Sequence, residues 1–198
     1  MIIGQNRPHD ARLGDGWIRA AGFRKATRAL RLADKFQLPV VTLVDTAGAY
    51  PTLESEEDGL GHAIAQCTAS MLAVTVPTIA VITGEGESEA AVALAVADRV
   101  LMLDNAVYEV IRPEDAAAIL YGDEERAEEA AERLRITSHD CLKLGVIDAT
   151  VPEPEEGAHT DHDEAALLLR RSIMRELTKV RRLRPKRRLQ QRYERYRE

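Results

Sequence analysis

Leu38-Pro39-Val40-Val41-Thr42-Leu43-Val44-Asp45-Thr46-Ala47-Gly48-Ala49-Tyr50-Pro51 passes from a proline through a β-branched apolar run into a glycine-containing turn. Such a run predicts a buried strand over residues 40–44 that feeds a loop. The pattern recurs downstream, where residues 78–82 read as a second buried strand. It feeds Thr83-Gly84-Glu85-Gly86-Glu87-Ser88-Glu89-Ala90-Ala91. Residues 56–74 between them read as a helix, with Glu56, Glu57 and Asp58 in its opening turn, where carboxylates suit the helix dipole.

Outward from these strands, Phe23, Ala26, Leu30, Ala33 and Phe36 recur at helical spacing. They predict an amphipathic helix over residues 20–36, ended by Pro39. Residues 1–4 read as a strand end and 5–16 as a loop. Further helices are expected over 88–97, 113–121, 123–135 and 138–144, with Gly145 closing the last. Strands are expected over 100–103, 107–111 and 146–151. A polar loop, 152–163, precedes a long helix from 164 to 183, which Pro185 interrupts. Strands and helices alternate, and the strands read as buried on both faces. Both features predict a layered α/β fold with mainly parallel pairing.

Composition narrows the function classes. Apolar residues are 45% of the chain and charged residues 30%, while aromatics are only 4%. The core must therefore be Ala, Val, Leu and Ile. No apolar run is long enough to cross a bilayer, and the opening residues lack the order of a signal peptide. A cytoplasmic protein with no membrane partner is expected. Cys67 and Cys141 are far apart and read as small buried residues. His159 and His162, with Asp161 and Asp163, read as a solvated loop, so no metal site is expected. Nine Lys/Arg and two Glu between 181 and 198 give the tail a local charge of +7 against −13 for the rest. That tail reads as a solvated or subunit-contacting helix with Tyr193 and Tyr196 on one face, and no nucleic-acid partner is expected.

The two strand-to-helix junctions are where chemistry would sit. In open α/β folds, ligands gather at the carboxyl ends of strands. The first turn of a helix offers unpaired amides that attract negative charge. Small residues let a ligand approach that backbone. A plain tight turn at each junction is the alternative.

The ordered run of LPVVTLVDTAGAYP, EEDGLGHAIAQ, VPTIAVITGEGES, YEVIRPEDAAAIL and LKLGVIDATVPEPEEGAH resembles the α subunit of bacterial acetyl-CoA carboxylase carboxyltransferase. The resemblance covers nearly the whole chain. It implies a crotonase-type ββα spiral over residues 1–151, followed by a loop and a basic helical extension over 152–198. It also implies transfer of a carboxyl group from N-carboxybiotin to acetyl-CoA, giving malonyl-CoA. It implies as well a biotin carried on a biotin carboxyl carrier protein, a CoA thioester as substrate, and a β-subunit partner of the same fold in an oligomer. The catalytic groups implied are the backbone amides of Glu89 and Ala90, acting as an oxyanion site. Gly48, Ala49, Tyr50, Gly84, Gly86, Ser88 and Ala91 would line the carboxybiotin and acyl-CoA pocket.

Where the family reads G-E-G-G-S-G-G-A, residues 84–91 carry Glu87, Glu89 and Ala90 in place of three glycines. A glutamate amide can serve if φ is negative, but not readily if the site needs φ above zero. A like charge at ~4 Å costs about 4 kcal/mol in a surface-like dielectric. A non-catalytic paralogue with a structural or regulatory role in a carboxylase-type complex is therefore the alternative expectation. The family also has a helix and several strands ahead of the matching region, which a partner chain is expected to supply.

Overall fold

The computed structural model describes residues 1–5 and 16–197. Most of the loop expected over 5–16 lies outside them. The elements, in order, are β1 Ile2–Gly4, α1 Ala20–Lys35, β2 Val40–Thr46, α2 Leu53–Glu57, α3 Leu60–Ala73, β3 Thr78–Glu87 and α4 Ser88–Ala95. There follow β4 Arg99–Leu103, β5 Val107–Glu109, α5 Pro113–Tyr121, a 3-10 turn Glu124–Arg126, α6 Ala127–Leu134, α7 Ser138–Lys143, β6 Ala149–Val151, α8 His162–Arg181 and α9 Pro185–Arg195. All the strand pairs are parallel, in the order β1-β2-β3-β4-β6. The upper half of β3 also pairs with β5.

Parallel strands need crossover connections, and the helices that supply them cover the sheet. β3 and β4 are accordingly buried along Thr78–Ile82 and Val100–Leu103. β2 differs from the expectation of burial on both faces. Val40, Thr42, Val44 and Thr46 are buried, whereas Val41, Leu43 and Asp45 are only partly covered. Only the three-residue β1 lies beyond β2 in the described sheet, so that face has less to pack against.

Several element boundaries move for local reasons. The helix expected over 56–74 is two helices, because Gly59 adopts φ 72° and begins α3 as a left-handed cap. Thr52 opens α2 by accepting a hydrogen bond from the Ser55 amide. The charged 123–135 segment splits into a 3-10 turn and α6, which Arg135 ends at φ 55°. β5 and β6 are shorter than expected, at three residues each. β2 and β3 are longer, and β3 runs through Gly84 and Gly86 to Glu87.

The basic tail is solvated on most of its surface, but not on the face that carries Arg188 and Arg192. One face of α9 packs into the body, and Arg192 is 1% exposed. Its guanidinium donates to the carbonyls of Met71 (2.8 Å), Leu72 (3.2 Å), Val74 (2.8 Å) and Val76 (3.3 Å). These are the orphan carbonyls at the end of α3 and the turn that follows it, where a cation also suits the helix dipole. Its Nε meets Asp98 Oδ1 at 2.9 Å. Asp98 Oδ2 in turn accepts from the Thr78 amide (2.8 Å) and hydroxyl (3.1 Å), which pins the start of β3. Tyr196 adds contacts from its hydroxyl to Ala95 O and Ala97 O, each 3.2 Å.

Removing one member of a buried, hydrogen-bonded ion pair costs about 3–5 kcal/mol. Arg192→Met is expected to lower the urea-unfolding free energy by that order. Arg187→Met, on the exposed face of the same helix, is expected to stay within about 0.5 kcal/mol of the parent.

Candidate active site

The two junctions singled out in the sequence meet at the carboxyl end of the sheet. A Cβ on Gly48 would lie 3.8 Å from Ser88 Cβ and 3.1 Å from the Trp17 ring. Gly48 has φ 109°, which glycine adopts without strain. The segment is tied down by the Gly48 amide on Thr46 Oγ1 (3.0 Å) and by Ile18 N–H on Gly48 O (2.9 Å). Tyr50 N–H donates to Ile18 O at 3.0 Å. Arg19 sits 4.5 Å over the Tyr50 ring, a cation–π contact. Gly48 is buried, and Ala49 and Tyr50 are partly covered.

Gly84 and Gly86 belong to β3 rather than to a loop. A Cβ at Gly84 would fall 2.6 Å from Asp45 Oδ1, the atom that accepts from the Glu85 amide at 3.1 Å. At Gly86 a Cβ would meet the Tyr108 ring at 2.9 Å and Ile82 Cγ2 at 3.0 Å. Close packing of β2 and β5 against β3 therefore accounts for both glycines.

The turn from β3 into α4 is sharp. Glu87 is extended at φ −97°. Ser88 carries the one positive φ between residues 84 and 91, at 64°. Glutamate at 87 and 89 is thus compatible with this backbone, and the unfavourable conformation falls on the serine. Glu89, Ala90 and Ala91 form the first turn of α4, where amides have no intrahelical acceptor. Ala90 and Ala91 are fully buried. Glu89 is exposed, and its carboxylate accepts a hydrogen bond from the Ser88 hydroxyl. A carboxylate in the first turn also suits the dipole of α4.

Two cavities flank this elbow. One, of about 560 Å³, is mainly apolar and is lined by Ser88, Glu89, Val92, Tyr108, Ile136 and Val146 among others. The second, of about 500 Å³, holds Glu85, Glu87, Glu109 and Glu114 with Arg112 and Trp17. Glu109 faces both. Burial, reinforced by Glu87, Glu85 and Glu114, pushes its carboxyl up to about 7 against the opposing pull of Arg112. Burial likewise raises Glu87, again against Arg112. Sequence reasoning passed over Glu109, Tyr108, Trp17 and Ile136. They reach the site because β5 pairs with the far half of β3 and because residues 17–18 run beside Gly48. No local sequence pattern announces either arrangement.

The remaining sequence candidates lie elsewhere. His162 sits in the first turn of α8, with its Nδ1 3.2 Å from Ala158 O. Among the described residues no group of three or more His, Cys, Asp or Glu is arranged to hold a metal ion. No helix among them is long and apolar enough to cross a membrane. Cys67 and Cys141 are buried free thiols, and burial pushes Cys67 up to about 11.

Two measurements test this geometry. An acid whose folded pKa is raised contributes stability below its unfolded pKa, and loses it as pH climbs through the folded value. Glu109 should therefore lower the unfolding midpoint as pH rises from about 4.5 to about 7. Glu109→Gln is expected to flatten that part of the midpoint-against-pH curve. At Ser88, glycine relieves a left-handed penalty of about 1 kcal/mol. Ser88→Gly is expected to match or exceed the parent in urea stability, and the β-branched Ser88→Val to fall below both.

Comparison with known proteins accords with this architecture. The acetyl co-enzyme A carboxylase carboxyltransferase-like family matches residues 1–198. The acetyl-coenzyme A carboxylase carboxyl transferase subunit alpha of Sorangium cellulosum is 45% identical over 194 residues, covering 98% of this chain and 61% of the relative. That of Methylobacterium nodulans is 51% identical over 168 residues, covering 83% and 53%. The chain thus spans a little over half the length of these relatives. Among solved structures, transcarboxylase 12S superposes with a TM-score of 0.69 at 22% identity, covering 84% of this chain and 33% of the other. A Pseudomonas malonate decarboxylase hetero-tetramer superposes with a TM-score of 0.71 at 18% identity, covering 88% and 71%. These likenesses establish the crotonase-type α/β fold. With a family match along the whole chain and alpha-subunit relatives at about half identity, this chain belongs to the acetyl co-enzyme A carboxylase carboxyltransferase-like family.

Proposed function

We propose that this chain is the α-type half of a biotin-dependent carboxyltransferase, and that the β3–α4 elbow is its oxyanion site. The observation that carries this reading is the backbone at 87–90. An extended Glu87 and a left-handed Ser88 turn the chain so that the amides of Glu89 and Ala90 open a helix beside Gly48 and the apolar cavity. A carboxylated biotin head needs apolar walls for its ring system and N–H donors for its ureido oxygen. The cavity walls and the first turn of α4 offer both. When bound, that group supplies the carboxyl to be moved to an acyl-CoA.

The chain's own contribution is positioning and charge stabilisation. Fixed amides at a helix start stabilise developing negative charge without titrating, and one such donor is worth about 10²–10³ in rate. Gly48 and Ala49 bring β2's loop against the elbow. Tyr108, Val92 and Val146 wall off water on the other side. A β-type subunit completes the site and receives the acyl-CoA, and a biotin carrier protein delivers the carboxyl group. The alpha-subunit relatives support a partner subunit.

One observation favours the second reading, a non-catalytic partner that keeps the fold. Glu87, Glu89 and Glu109 place three carboxyl groups around the elbow, and negative charge there opposes an oxyanion. Co-expression with a β-type partner, followed by malonyl-CoA-dependent carboxylation of free biotin, separates the two. A catalytic subunit is expected to turn over. Glu89→Gln, which removes an exposed and screened charge, should raise kcat/KM by about two- to fivefold. Glu89→Pro deletes one first-turn amide and also presses the preceding Ser88 out of its positive-φ turn, and should lower the rate by about 10²-fold or more. A well-assembled complex without turnover would overturn the catalytic reading.

A further inference from the structure

The amino ends of β4 and β6 lie at the opposite end of the sheet from the elbow. α8 and α9 fold over them and leave a cavity of about 630 Å³. Its lining includes five cations, Arg99, Lys179, Arg188, Arg192 and Arg195, but only two carboxylates, Asp98 and Asp148. Glu176 adds a third nearby, 2.8 Å from Lys179 Nζ and 3.7 Å from Arg99 Nε. Five positive charges against three negative leave a surplus of two, in a chain whose formal net charge is −6.

These cations are not equally neutralised. Arg192 is taken up by Asp98 and four carbonyls. Arg195 meets Asp148 Oδ2 at 2.5 Å and Val146 O at 2.8 Å. Arg188 is 5% exposed and less well served. Its Nη1 makes a long 3.4 Å contact to Leu183 O, and its Nη2 donates to Thr75 O. Its Nε has no hydrogen-bond acceptor among the described residues. The nearest carboxylate oxygen, Asp98 Oδ2, is 3.7 Å away and already accepts from Thr78. Arg188 is therefore the least neutralised of the buried cations here. Lys179 keeps a side chain 54% exposed at the cavity wall.

We propose that this cavity binds a phosphate-bearing anion, with Lys179 and Arg188 supplying the charge and Gln191 a neutral donor. Cavity walls with a net surplus of one sign concentrate counter-ions. Guanidinium forks match phosphate oxygens in geometry, and a lysine on a flexible stem adds a point charge. The volume accommodates a pyrophosphate with room for an attached nucleoside-sized group. Because the walls come from the sheet, α8 and α9 together, an anion here ties the tail helices to the body. It therefore stabilises the folded chain by mass action.

Thermal unfolding of the full chain in pyrophosphate, against sodium chloride at matched ionic strength, tests the site alongside calorimetric titration. One site per chain is expected. The midpoint should rise above the chloride control by about 5 °C at a hundredfold excess over Kd. Lys179→Met alters a half-exposed residue, leaves the buried Glu176 paired with Arg175 at 3.1 Å, and should weaken binding about tenfold. Arg170→Met, exposed on the same helix and outside the cavity lining, should leave it unchanged. A shift no larger than in chloride, or undiminished affinity in Lys179→Met, would overturn the proposal.

Discussion

Strand β3 has two sets of neighbours along its length. Its lower half, Thr78–Ile82, pairs with β2 and β4, and its upper half, Glu85–Glu87, pairs with β5. Because each residue of a parallel ladder is held from the side, a ten-residue strand can carry its backbone well past the core before it turns. The elbow at Ser88 is therefore delivered to a defined place beside Gly48. At the register irregularity between Val44 and Thr46, β3 carries extra residues opposite β2 before the strands pair again at Thr46 and Gly86. The room this opens takes the Asp45 carboxylate against Gly84. The apolar cavity follows from the same arrangement, since β5 brings Tyr108 and Glu109 to one wall and α4 brings Val92 to another.

In the proposed reading, function rests on backbone geometry more than on side-chain identity. Residues 87, 89 and 90 are Glu, Glu and Ala, yet the only positive φ of the segment is at Ser88. These carboxylates alter the electrostatics of the site without breaking its turn. Glu87 is buried in the acidic cavity, and Glu89 is exposed beside the first turn of α4. The penalty for negative charge near an oxyanion depends on where those carboxylates point and how well water screens them.

At the other end of the sheet, Asp98 ties β3 to α9. One carboxylate holds the start of β3 through Thr78 and the tail through Arg192. The guanidinium also caps the end of α3. Three elements distant in sequence thus share a single buried polar cluster, in which Asp98 and Arg192 answer each other. That reciprocity is what makes a charged pair tolerable inside a core of alanine, valine and leucine.

The sequence by itself determined the strand and helix alternation, the parallel α/β class and the two junctions around Gly48 and Gly84–Ala91. These depend on hydrophobic periodicity and turn residues, which act over a few neighbours in the chain. It also located the helix break at Pro185, and the burial of Cys67 and Cys141 followed its expectation. Only the tertiary structure decided that Gly84 and Gly86 are strand residues. The reason is the approach of Asp45 and Tyr108 from other strands. Likewise, Arg188 and Arg192 read as solvated charge in a basic tail, and became buried because carbonyls at the end of α3 and Asp98 need donors there. Glu109 entered the site through a pairing between β3 and β5 that spans twenty residues or more of chain. Such long-range partners leave no mark on local sequence, because a side chain's environment is set by whichever segments the fold packs around it.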